Sequence, residues 1–235
     1  RQMCIRDSSM ADFYRERFGV DSEVLFGPAD SLGELMVDSP APGPPARLVY
    51  FGSIWAWQRD ALARLVANLE AVNATLDLYV FHELPTDIQS ARVFARNPVP
   101  ASEVMCRIRQ YDGVVIPASF ADAERHLTQL NIATKLSESY ASGTVPVIIA
   151  PPFAAMTQFA NRHGGAIVVS DFSDPTQVAR LRQIKSRDFR AQLLPLARRV
   201  SETECSTAVM RRRWSSVWGA ADPAYAGNTD SGRSR

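Results

Sequence analysis

The feature that most constrains this chain lies at residues 111–152, YDGVVIPASFADAERHLTQLNIATKLSESYASGTVPVIIAPP, which reads as strand, loop, helix, strand. A short apolar β-type run over 112–117 opens it, and a second buried run over 145–149 closes it. Between them, Asn131 is an N-cap candidate, and Gly143 stands where a helix C-terminus wants φ > 0. A βαβ unit of this kind brings the loop and the helix N-terminus together at the carboxyl edge of a parallel sheet, where exposed N–H groups attract phosphate. A helix starting at Asn131 carries Glu138 inside it. There it reaches a ribose whose diphosphate occupies the N-terminus.

The rest of the chain repeats the alternation. A strand-like run over 48–52 leads to a helix over 60–72, on which Leu62, Leu65, Val66 and Leu69 share a face. Strand-like runs follow at 76–81 and 93–95, then a helix over 101–110 and, after the central unit, a strand at Val168 and Val169. Helices are expected over 154–162 and 174–184, with Asp174-Pro175 as N-cap and first-turn pair. This order predicts an α/β fold: a doubly wound parallel sheet with helices on both faces. From Lys185 to Trp218 the pattern is helical, and 219–235 is a polar, small-residue tail expected to be disordered.

With 235 residues and 46% hydrophobic content, the chain can bury one full core. A formal net charge of +1 argues against nucleic acid as a partner. Arg198, Arg199, Arg211, Arg212 and Arg213 form a late cluster, read as a solvated helical face or as peripheral contact with anionic lipid. Cys4, Cys106 and Cys205 lack metal-ligand spacing, which fits a reducing cytoplasm. The opening string RQMCIRDS resembles translated sequencing-adapter read-through, so residues 1–8 are set aside as a non-native leader. Residues 9–20 have helical apolar spacing, and SPAPGPPA over 39–46 reads as an exposed linker.

The central unit also carries a family resemblance. Thr134-Lys135-Leu136-x-Glu138-x-x-Ala141-x-Gly143-Thr144-x-Pro146-Val147-Ile148, after Ile116-Pro117-x-Ser119, resembles the donor-binding signature of GT-B-fold glycosyltransferases of the group 1 type. The resemblance implies a C-terminal, Rossmann-like, nucleotide-sugar-binding domain over 47–218. Residues 9–46 would be a remnant of the N-terminal domain with its linker, and the acceptor-binding domain would lie outside this truncated chain. It implies a nucleotide-diphosphate sugar as substrate, an acceptor of unstated chemistry, no required metal, and a cytoplasmic place. One departure stands out. Many such transferases carry two glutamates seven residues apart, and the first, which touches the sugar, falls here on Leu130, followed by Asn131 and Ile132.

Placed on this frame, Glu138 accepts hydrogen bonds from both ribose hydroxyls, Lys135 adds positive charge, and the amides of Ile132 to Thr134 face the diphosphate. Gly52 and Ser53, in a glycine turn after the first strand, are either an ordinary strand-to-helix turn or a phosphate approach. Arg59 is either a solvated helix start or a phosphate contact. Ser119 belongs to the signature, and Val99, in Arg96-Asn97-Pro98-Val99-Pro100, marks where the base would meet backbone. The full glycine-rich dinucleotide fingerprint is absent, which weighs against an NAD or FAD enzyme. His82 and His126 are single histidines and read as structural or solvated. No residue is assigned to catalysis. A nucleotide-sugar epimerase of the same fold and a noncatalytic nucleotide-sugar-binding module are the alternatives.

Overall fold

A computed structural model describes residues 3–5, 8–40 and 43–218, with backbone alone at 3–5, 8, 217 and 218. The expected disordered tail at 219–235 lies outside the described residues. The main sheet has six strands: β3 (Ala46–Phe51), β4 (Ala74–Tyr79), β5 (Val93–Arg96), β6 (Gly113–Pro117), β7 (Val145–Ile149) and β8 (Ile167–Val169). Before it come β1 (Met3–Ile5), α1 (Ser8–Phe18) and β2 (Ser22–Val24). The helices that follow are α2 (Ala56–Asn68), α3 (Ala101–Ile108), α4 (Arg125–Leu130), α5 (Lys135–Ala141) and α6 (Ala155–His163). The C-terminal run is α7 (Pro175–Arg182), α8 (Arg187–Val200), a π-helical turn over Ser201–Cys205, and α9 (Thr207–Trp218).

All pairings in the main sheet are parallel, in the spatial order β5-β4-β3-β6-β7-β8. The chain winds outward from β3 in one direction and then from β6 in the other, so the expected doubly wound architecture is present. The reversal between β3 and β6 leaves a crevice at their carboxyl ends, because the two connections depart to opposite sides of the sheet.

Burial on both faces makes the strands near-continuous apolar runs. Every residue of β6 and β7 is buried. Side chains alternate between the faces: Leu48 and Tyr50 of β3 join one core with Leu62 and Leu65 of α2, Leu181 of α7 and Leu194 of α8. Val49 and Phe51 face the other way, onto Val104 and Ile108 of α3. On that face Ile116 and Ile148 meet Leu136 and Tyr140 of α5, Phe159 of α6 and Val209 of α9. Helices thus cover both sides of the sheet, as the two-period reading requires.

Two expectations need correction. Residues 1–8 are set aside in the sequence reading, yet the backbone of Met3–Ile5 pairs in parallel with Ser22–Val24 as a two-stranded sheet. The helix expected from Asn131 begins only at Lys135: a short helix, α4, occupies the expected loop and ends at Leu130, Asn131 is extended at φ −128° and ψ 124°, and α5 follows Thr134. Ile132, in the segment between the two helices, is buried in the core with residues of α5 and α6. Gly143 meets its expectation with φ +76°.

Candidate functional site

The crevice at the switch point holds a pocket of about 350 Å3. One wall is the loop after β3 with the start of α2, and the other is the end of α4, residues 131–134 and the first residues of α5. The floor is the carboxyl half of β6, Val114 to Pro117.

The β3 wall is built by a reversal that only glycine makes without strain. Gly52 has φ +131°, and its N–H donates to the Tyr79 carbonyl at 3.1 Å, which ties the turn to β4. The Tyr50 hydroxyl, its pKa pushed up by burial, donates to the Ser53 carbonyl at 2.7 Å and fixes the next residue. Gly52 and Ser53 both line the pocket. Asp60 of α2 then reaches across the switch point, its Oδ2 accepting the Phe120 N–H at 2.7 Å. That bond joins the two loops that flank the crevice.

On the opposite wall the segment between α4 and α5 presents Asn131, Ile132, Ala133 and Thr134 to the pocket, with Lys135 at the first position of α5. The Lys135 ammonium lies 2.8 Å from Glu138 Oε2, an ionic contact outside aligned hydrogen-bond geometry. Glu138 is half-buried and is not itself among the pocket-lining residues. It stands one shell behind the pocket, in the first turn of α5. The wall therefore offers peptide dipoles and one ammonium, a combination suited to an anionic group.

Of the expected site residues, Gly52, Ser53, Thr134 and Lys135 come together around one cavity, and Glu138 joins them through Lys135. Ser119 is fully buried, its Oγ accepting the Ala121 N–H at 3.0 Å and its carbonyl accepting the Thr128 hydroxyl at 3.3 Å, so it shapes the loop after β6. Arg59 points to Asp87, with Nε and Nη2 donating to the carboxylate at 2.9 to 3.1 Å. This pairing raises the guanidinium pKa and lowers that of the carboxyl. Val99 packs half-buried against the small core of Val49, Phe51 and Ile108. Leu130 is the last residue of α4, immediately before the pocket-lining loop. His82 and His126 are exposed, as the reading of solvated histidines expects.

Sequence reasoning misses Trp55 and Trp57, which line the pocket and stack on each other with ring centroids 5.7 Å apart. Two tryptophans within three residues, directly after a glycine turn, were the available signal. It also misses Asp60, whose role depends on a loop 60 residues away.

No family model and no curated protein sequence matches the chain; its likenesses are structural. A glycosyltransferase from Rickettsia africae superposes with a TM-score of 0.67 at 9% identity, covering 97% of this chain and 64% of that one. A TarM mutant of S. aureus, in complex with fondaparinux, alpha-GlcNAc-glycerol and UDP, gives 0.65 at 10% identity over 92% and 43%. A T4 phage BGT mutant in complex with UDP-glucose gives 0.52 at 15% identity over 84% and 50%. The chain thus spans between 43% and 64% of these proteins. With its parallel six-stranded sheet and its crevice at the strand-order reversal, it has the Rossmann-like fold of GT-B glycosyltransferases, as a partial domain of that architecture.

Proposed function

We propose that this chain binds a nucleotide-diphosphate sugar and is the C-terminal, donor-binding part of a glycosyltransferase. The observation that carries the reading is the pocket at the carboxyl ends of β3 and β6, where Gly52, Ser53, Thr134 and Lys135 meet. Its size suits part of a nucleotide sugar, and its position is where open α/β sheets bind ligands. The UDP and UDP-glucose held by two structural neighbours agree with this chemistry.

In this reading the diphosphate lies against residues 131–135, and the ribose hydroxyls turn toward Glu138. Transfer breaks the bond between the anomeric carbon and the diphosphate oxygen and forms one to an acceptor oxygen, whose proton goes to a base. The charge left on the diphosphate falls on the Lys135 ammonium and the loop amides, so the reading calls for no metal. The acceptor and the base would come from a domain outside this chain. A noncatalytic binding module is the second reading, favoured by Leu130 standing beside the pocket where a hydrogen-bonding residue would touch the sugar.

The test is calorimetric titration of the full chain with UDP. Lys135→Ala and Glu138→Ala should each weaken binding by about 1.5 to 3 kcal/mol, the scale of hydrogen bonds to charged groups. Thermal stability should fall by no more than about 1 kcal/mol, because the Lys135–Glu138 pair is only partly buried. Measurable wild-type binding with unchanged affinity in both variants would remove the donor site from this helix.

A further inference from the structure

Two side chains on the pocket's rim are left unexplained by the fold. Trp55 is 54% exposed and Trp57 37% exposed, although burying an indole is among the most favourable acts available to a side chain. Their rings lie 16° from parallel in a mutual stack, and both line the pocket. The backbone beneath them is fixed. The Trp55 N–H donates to Gln58 Oε1 at 3.2 Å, and the N–H groups of Gln58 and Arg59 both donate to the Trp55 carbonyl at 3.0 Å. Across the mouth, Leu127 of α4 adds a further apolar surface, 49% exposed. The pocket is therefore cationic at Lys135 and aromatic at its open rim.

We propose that Trp55 and Trp57 form a stacking platform for a pyranose ring. A pyranose presents a flat face of C–H groups bordered by hydroxyls. It packs one face on an indole while the hydroxyls stay hydrated, and this matches rings that are held in place yet half exposed. The inference rests on the donor-pocket reading and names what lies beside the diphosphate. The ring belongs either to the donor sugar or to a saccharide acceptor, since both carry the same C–H face.

The test is calorimetry on the full chain and on Trp55→Ala, Trp57→Ala and Trp55→Phe. One set of titrations uses UDP, UDP-glucose, UDP-galactose and UDP-N-acetylglucosamine. A second uses cellobiose and lactose in saturating UDP. If the platform holds the donor sugar, UDP-sugar affinity falls about tenfold in the alanine variants while UDP affinity is unchanged, and Trp55→Phe restores part of it. If it holds an acceptor, saccharide affinity falls by about the same factor while the UDP-sugar affinities stay as in wild type. Equal losses for UDP and the UDP-sugars would give the platform to the base and overturn the proposal. So would sugar affinities that no variant alters while wild type still binds UDP, and that outcome leaves the donor pocket standing. Failure of the wild-type chain to bind UDP would overturn the donor-pocket reading and the platform together.

Discussion

Arg190 is fully buried, yet it sits in a helix whose sequence marks it only as one more basic residue. Its Nε donates to the Met36 carbonyl at 2.7 Å, and its Nη1 donates to the carbonyls of Asp112 at 2.8 Å and Ile184 at 3.1 Å. One guanidinium thus ties the N-terminal segment, the entry to β6 and the turn before α8. Burial lowers its pKa while Asp112 and Asp38 oppose the shift, and an arginine so placed still carries its charge. Removing it strands three acceptors in the interior. Arg190→Ala should lower unfolding free energy by about 3 to 5 kcal/mol in urea denaturation, and Arg190→Lys should recover little, because an ammonium cannot reproduce the fork. A loss below about 1 kcal/mol would show that water replaces these bonds.

Among the elements, the helix ends separate what is local from what is not. Asp174 caps α7 from within its own segment, its Oδ1 accepting the Thr176 N–H at 2.8 Å, as the Asp174-Pro175 pair predicts. α9 is capped from both ranges: Ser206 Oγ, just before the helix, accepts the Val209 N–H at 3.3 Å, and from 177 residues away Asp30 Oδ1 accepts the Thr207 N–H at 2.9 Å. That bond holds the Asp30 carboxyl below the usual range. A depressed folded pKa means that the unfolded chain binds the proton more readily, so this contribution is whole above about pH 4 and fades as pH falls further. Asp30→Ala should therefore destabilise by about 0.5 to 2 kcal/mol at pH 7, and the difference from wild type should shrink as pH falls below about 4. A gap that persists in acid would assign the effect to packing. The turn from α5 into β7 gives a second test. At Gly143 a Cβ would lie 3.0 Å from both Arg109 Nη1 and the Glu34 carbonyl oxygen, at φ +76°. Gly143→Ala should cost about 1 to 3 kcal/mol by chemical denaturation, and a neutral result would mean that the turn relaxes freely.

At the scale of the molecule, the pocket has two walls and a floor and opens toward solvent past its tryptophans, and the chain spans between 43% and 64% of its structural neighbours. On the proposed function, the purified chain should bind UDP yet release no free UDP from UDP-glucose above the uncatalysed rate in a coupled assay with saccharide acceptors, because half of the closed site is supplied elsewhere. Clear turnover would show that the chain is sufficient for transfer. The sequence by itself determined the sheet's composition and much of its order along the chain. β7 falls on 145–149 and β6 within one residue of its expected start, because strands buried on both faces are apolar runs that flanking turns delimit. It also placed Gly143 and the α7 cap, since both depend on backbone sterics and hydrogen bonds within a few residues. Only the tertiary structure decided that the helix expected from Asn131 starts at Lys135, with Ile132 of the preceding segment buried in the core. It alone also brought Trp55 and Lys135 to one pocket, turned Arg59 away to Asp87, and set Glu138 behind the pocket. These outcomes depend on which distant segments become neighbours once the strand order reverses between β3 and β6, and a linear pattern of side chains holds no record of that adjacency.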